Sequence, residues 1–117
     1  MSNLKSIKNN TVAIKLLDGK ERTLRYTLNA MTELEDRYGS VEEAFKQLEE
    51  GRIKAVRCVL WAGLIHEDPT LTELEVGNLI DMRYMSDLMN SMNNAIDNDM
   101  PESNEQESLN AGDNPNA

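Results

Sequence analysis

The residues that most often carry catalysis or bind metals are few in this chain. Its single histidine, His66, precedes two carboxylates, Glu67 and Asp68, and its single cysteine is Cys58. A zinc-protease site needs a second histidine one helical turn away, and three adjacent side chains do not converge easily on one ion. We therefore expect no metal ion. Cys58 falls in an apolar stretch with no histidine placed to activate it, which predicts a buried, inert thiol.

Patterns for binding phosphate or nucleic acid are also missing from the sequence. The six glycines are scattered and form neither a GxGxxG nor a GxxxxGK[ST] string. The densest basic group, Arg52, Lys54 and Arg57, is small for a chain of formal net charge −9, and the aromatic residues are too few to stack bases. The sequence predicts that the chain is not an enzyme. It also predicts no cofactor, no small-molecule substrate and no nucleic-acid partner.

Length and composition limit the elements that can position these residues. The 117 residues suffice for one domain, and no basic flank, apolar run and cleavage site combine at the N-terminus. With the lone cysteine, this predicts a cytoplasmic protein. The longest apolar run, 59–65, is far shorter than the roughly 20 residues that cross a bilayer, so no membrane contact is expected.

Charge is distributed unevenly along the chain. Residues 97–117 hold six acidic side chains, no basic ones and almost no apolar ones, so they cannot offset the entropy of ordering themselves. We expect a single domain over residues 1–96 and a disordered acidic tail over residues 97–117.

Alternating apolar residues predict a β-hairpin over about residues 11–28. The side chains expected on one face are Val12, Ile14 and Leu16 in the first strand and Leu24, Tyr26 and Leu28 in the second. Between the runs, Asp18-Gly19 tolerates the positive φ angles of a tight turn. An isolated hairpin is barely stable, so its apolar face must pack against other elements.

Helical spacing and capping signals predict helices over about residues 29–96, which can pack on this face. Asn29 is a possible N-cap of the first helix, and the pairs Ser40 with Glu43 and Thr72 with Glu75 are capping boxes. The fold class is therefore α+β, with an N-terminal hairpin packed on a small bundle of about four to five helices.

The third predicted helix, about residues 52–65, starts amphipathic with Ile53, Val56 and Leu60 on its apolar face. It then becomes apolar nearly all round and is expected to form the core. Gly63 within it costs about 1 kcal/mol relative to alanine, which predicts a close approach by another element. Trp61 in the same helix is either a core residue or an anchor for a partner.

The last predicted helix, about residues 84–96, carries an apolar stripe that is rich in methionine. Its members are Met85, Leu88, Met89, Met92 and Ile96. The stripe either packs on the core or receives a helix of another protein, because methionine side chains adapt to irregular partners. The candidate partner-binding residues are Trp61, Met85, Leu88, Met89 and Met92.

Several stretches resemble the tail assembly chaperone family of siphophages and gene transfer agents, some of whose members are labelled tail tube proteins. The stretches are LNAMTELE (28–35), YGSVEEA (38–44), LWAGLIHEDP (60–69), LT (71–72) and EVG (75–77). The likeness covers roughly residues 11–81. It implies a non-enzymatic protein of the host bacterial cytoplasm that binds the tape measure protein while the tail tube protein polymerises.

Two other functions stay open at this point. One is a structural tail or connector subunit that self-associates into rings. The other is a small prophage regulatory protein, for which Arg52, Lys54 and Arg57 are the candidate DNA contacts.

Overall fold

An antiparallel hairpin followed by five helices makes up residues 11–100, the part of the chain that this computed structural model describes. The elements in chain order are β1 (Val12–Lys15), β2 (Glu21–Leu24), α1 (Leu28–Tyr38), α2 (Val41–Glu49), α3 (Ile53–Leu64), α4 (Glu73–Asn78), a 3₁₀ turn (Met82–Tyr84) and α5 (Met85–Asp99). The α+β prediction is confirmed. Residues 97–99, assigned to the tail by sequence, belong to α5, and Met100 caps the end of that helix. Residues 101–117 of the predicted tail lie outside the described residues.

The apolar face of the hairpin is confirmed except at its end. In the register of the two strands, Val12 pairs with Leu24 and Ile14 pairs with Arg22. Leu24 and Tyr26 are buried, as their alternation predicts, but Leu28 is 77% exposed. The prediction for Leu28 is wrong because β2 ends at Leu24 and Leu28 already begins α1.

The hairpin turn is wider than the tight turn that Asp18-Gly19 predicts. The strands close at the pair Lys15–Glu21, so residues 16–20 form the loop, and Gly19 alone takes a positive φ, of 78°. The Asp18 carboxylate accepts hydrogen bonds from the Arg22 guanidinium at 2.9 and 3.1 Å. These bonds hold the pKa of Asp18 at about 2.

The helix starts follow local capping chemistry. Thr27 rather than Asn29 caps α1, because its hydroxyl accepts a hydrogen bond from the Ala30 N–H at 3.2 Å. At α4 both halves of the predicted capping box are present, since Thr72 and Glu75 each accept from the other's backbone N–H at 3.1 and 2.9 Å.

The cap of α2 has half of the predicted box. The Ser40 hydroxyl accepts from the Glu43 N–H at 3.0 Å, whereas the Glu43 carboxylate accepts from the Gln47 side chain at 2.8 Å.

The core forms around α3, which packs against α1, α2, α4 and β2. Its buried residues are Ala55, Val56, Cys58, Val59, Leu60, Trp61, Ala62, Gly63 and Leu64. The close approach predicted at Gly63 is confirmed, because a Cβ atom there would lie 2.8 Å from Cζ of Tyr26. Glycine therefore lets β2 and α3 come together.

The fifth helix covers the other strand of the hairpin. It packs on β1, with Met92 and Ala95 completely buried. Near its end, the Asp99 carboxylate accepts a hydrogen bond from the Tyr26 backbone N–H at 2.8 Å and lies 3.9 Å from Nε of Arg25. The hairpin is thus held between α3 and α5, which supplies the cover that an isolated hairpin lacks.

Candidate partner-binding surface

An apolar groove opens where the start of α3, the short helix α4 and the start of α5 meet. It has a volume of about 320 Å³. Its lining residues are Ile53, Val56, Arg57, Leu74, Gly77, Asn78, Ile80, Met82 and Met85. We call this feature the helical groove. Arg57 is the charged member of the lining, and its Nε lies 3.7 Å from a Glu73 carboxylate oxygen.

The rim of the helical groove exposes large apolar side chains. Ile53, Leu74 and Met82 are 63%, 68% and 64% exposed, whereas Val56 in the floor is buried and Met85 is half-buried. Scattered exposed apolar residues are ordinary on a protein surface. Exposed apolar side chains that cluster around a concave apolar floor are a feature of binding sites for other chains.

A second groove runs beside β1, between the hairpin and the start of α5. It has a volume of about 480 Å³ and is bordered by residues 13–17, residues 79–81 and the α5 residues Leu88 and Ser91. We call it the edge groove. Tyr84, which is 58% exposed, and Asp87 also line it.

The five candidate residues named from sequence take different positions. Met85 lines the helical groove and Leu88 lines the edge groove. Met89 is half-buried against the core, and Met92 is fully buried. Neither Met89 nor Met92 lines either groove.

Trp61, the fifth candidate, is 8% exposed. Its indole Nε1–H donates a hydrogen bond to the Leu71 carbonyl oxygen at 2.8 Å. The Arg37 guanidinium carbon lies 4.2 Å from the centre of the ring, a cation–π contact. Arg37 also forms ion pairs of 2.7 Å with Glu33 and with Glu73. These contacts join α1, α3 and the start of α4.

The run that begins at His66 also joins elements. Just beyond α3, Nε2 of His66 lies 2.8 Å from the Thr23 carbonyl oxygen, and the Thr23 hydroxyl donates to the Glu67 carboxylate at 2.6 Å. This hydrogen bond lowers the pKa of Glu67. Nε2 of His66 thus contacts a backbone oxygen. Through His66 and Glu67, the end of α3 is connected to β2.

Other chemistry is sparse in the described part of the chain. Burial raises the pKa of the Cys58 thiol to about 11, so the thiol is protonated at neutral pH, as expected of a buried cysteine. Within residues 11–100, no three metal-ligating side chains are grouped. No helix in the same range is both long and apolar enough to cross a bilayer.

Sequence reasoning did not single out the rim of the helical groove. Ile53 is predicted on the buried face of α3, but as the first residue of that helix it lies beyond the cover of the neighbouring elements. The sequence gives no clear signal for this position, because flanking charges also occur at buried positions: Leu34, between Glu33 and Glu35, is fully buried.

These features define a small α+β protein whose surface offers apolar grooves suited to other polypeptide chains. The chain belongs to the family described as phage tail tube protein, GTA-gp10, whose profile matches residues 11–94. This match confirms the resemblance to tail proteins of phages and gene transfer agents, and it supports a structural or assembly role in phage tails. No curated protein and no solved structure matches the chain.

Proposed function

We propose that the chain is a non-enzymatic tail assembly chaperone that binds an amphipathic helix of the tape measure protein in the helical groove. The main support for the proposal is that the side chains of Ile53, Leu74 and Met82 are exposed at the rim of a groove with an apolar floor. In this role the chain keeps the tape measure protein soluble in the cytoplasm of the host bacterium while tail tube subunits polymerise.

The shape and chemistry of the groove favour a helical client. Its walls are helices and its lining is mostly apolar, which is how proteins receive the apolar stripe of an amphipathic helix. Met82 and Met85 lie in the lining, and unbranched thioether side chains adjust to clients whose sequence varies along a long helix.

The candidate residues keep separate roles in this proposal. Met85 contacts the client directly, and Leu88 extends the apolar surface into the edge groove. Met89, Met92 and Trp61 pack in the fold outside the groove lining, so their substitution is expected to weaken client binding only by destabilising α5 and α3.

The test is co-expression with the tape measure protein, followed by affinity capture and sizing of the complex. Leu74→Asp places a charge on the rim of the groove and should abolish capture, because desolvating a charge against an apolar client is costly. Leu28→Asp is the matched control, since Leu28 is 77% exposed and lies outside the groove lining. Both variants should unfold at the urea concentration of the parent chain.

A soluble complex that survives Leu28→Asp and is lost with Leu74→Asp would support the chaperone function. Equal capture by both variants would reject the helical groove as the client site. The description tail tube protein favours a second candidate, a structural tail subunit. That function predicts ring-sized assemblies of the chain without any tape measure protein.

A further inference from the structure

We propose that the outer edge of β1 pairs antiparallel with β1 of a second copy of this chain, in a register centred on Ala13. The proposal concerns the backbone edge of β1 rather than the helical groove, and its test needs no client. It follows from the direction of the backbone groups in the hairpin.

The outer edge of β2 is already occupied. Its Thr23 carbonyl oxygen is contacted by His66, and the Arg25 N–H donates to the Gly63 carbonyl oxygen at 3.0 Å. Thr23 therefore directs its backbone groups away from β1. In an antiparallel pair, the residue opposite an outward-directed one is directed outward as well, so Ala13, which pairs with Thr23, directs its N–H and C=O out of the hairpin.

The outer edge of β1 is open by comparison. Thr11, Ala13, Lys15 and Leu17 share the outward direction, because backbone groups alternate along a strand. Leu17 donates its N–H to the Leu79 carbonyl oxygen at 2.9 Å, which closes this end of the edge. Among residues 11–100, Ala13 and Lys15 make no hydrogen bond on this side, and the edge groove lies directly beside them. An open strand edge of this kind is a template for pairing with another strand.

The register follows from which groups are available. Pairing centred on Ala13 engages all the open outward residues, because Lys15 then lies opposite Thr11 of the second copy. Pairing centred on Lys15 places two like charges opposite each other, which is unfavourable. Pairing centred on Ile14 places Thr11 opposite Leu17, whose N–H is already bonded to Leu79.

A second copy also matches the side chains around this edge. In the register centred on Ala13, Val12 lies opposite Ile14 of the second copy, and β-branched pairs of this kind stabilise sheets. The one charge of β1, the cation Lys15, lies opposite Thr11 in this register and so meets no like charge across the pair. The net charge of −9 opposes association at a distance, but screening at physiological salt limits its reach to about 8 Å.

The first test is oxidative cross-linking in a Cys58→Ala background, with matched single cysteines on the same strand. Ala13→Cys should cross-link two copies, because residues opposite each other in a hydrogen-bonded pair have Cα atoms about 5.5 Å apart. Lys15→Cys should not, because the two positions are then roughly 14 Å apart along the strands, beyond the reach of a disulfide. Equal cross-linking at both positions, or none at position 13, would overturn the proposal.

The second test measures oligomeric state by sedimentation. Ala13→Pro removes the outward N–H without removing a bond between β1 and β2, so it should convert a dimer to a folded monomer. A parent chain that stays monomeric would refute pairing with a second copy. A dimer that persists in Ala13→Pro would refute the strand edge as its interface. If the parent chain forms no dimer but captures another protein, and Ala13→Pro abolishes that capture, the proposal is wrong and the edge binds that protein instead.

Discussion

Gly63→Ala tests the central packing contact of the fold. The added Cβ atom would lie 2.8 and 2.9 Å from Cζ and the hydroxyl oxygen of Tyr26 and 3.0 Å from a methyl carbon of Leu24. Real Cβ atoms essentially never make contacts shorter than 3.0 Å. Tyr26 is buried and its hydroxyl donates to the Val59 carbonyl oxygen at 2.9 Å, so its ring cannot move without losing that bond.

Opposing terms set the expected change in stability. Alanine is favoured over glycine inside a helix by about 1 kcal/mol. Overpacking a filled core costs about 1–3 kcal/mol, and loss of the Tyr26 hydrogen bond costs about 1 kcal/mol more. We expect Gly63→Ala to lower the free energy of unfolding by about 1–3 kcal/mol, measured by urea denaturation followed by circular dichroism.

Gly77→Ala is the matched control within another helix. Its Cβ would meet Cδ of Arg57 at 3.1 Å, and that flexible side chain can move aside. We expect this variant to be as stable as the parent or up to about 1 kcal/mol more stable. Tyr26→Phe removes the hydroxyl contact at 2.9 Å and the hydrogen bond that holds the ring, so it should recover part of the loss in Gly63→Ala. A Gly63→Ala variant as stable as the parent would refute the close-approach argument.

Three further predictions follow from single contacts. Because the folded pKa of Asp18 is about 2, below its ordinary value of 3.8, its stabilising effect is complete above about pH 4 and is lost as the pH falls towards 2; Asp18→Asn should flatten this part of an acid-unfolding curve. The Cys58 thiol should resist alkylation at pH 8 in the folded chain and react quickly in urea, and fast labelling without urea would contradict its burial. Asp99→Ala should lower the free energy of unfolding by about 1–3 kcal/mol in urea titrations, because it leaves the Tyr26 N–H without its acceptor, whereas the exposed Asp97→Ala should change it little.

The sequence predicts those parts of the fold that short-range periodicity controls. The alternation of β1, the buried α3 and the capping box at Thr72 are confirmed because each depends on residues a few positions apart. Gly63 likewise predicts a close neighbour, because a glycine inside a helix is a signal that can be read from the local sequence. It does not identify Tyr26 as that neighbour, because their contact depends on how the hairpin lies on α3.

The two incorrect burial predictions both concern residues at the ends of secondary-structure elements. Leu28 continues the alternation of β2 in sequence, but the Thr27 cap has already turned the chain into α1. Ile53 continues the apolar stripe of α3, but it lies on the rim of the helical groove and stays 63% exposed. Periodicity predicts which side chains share one face of a helix or strand. Tertiary packing determines how many residues of that face are buried. The helical groove therefore could not be located from the sequence.

The apolar stripe of α5 divides between the fold and the surface for a geometric reason. The hairpin needs a cover, and α5 provides it through Met92 and Ala95, which are completely buried. The start of the same helix borders both grooves, where Met85 lines the helical groove and Leu88 lines the edge groove. Because the covered half fixes the helix in place, the uncovered half presents its side chains on a rigid support. A rigid support lowers the entropy lost when a partner binds, which favours the proposed use of Met85 and Leu88 in recognition.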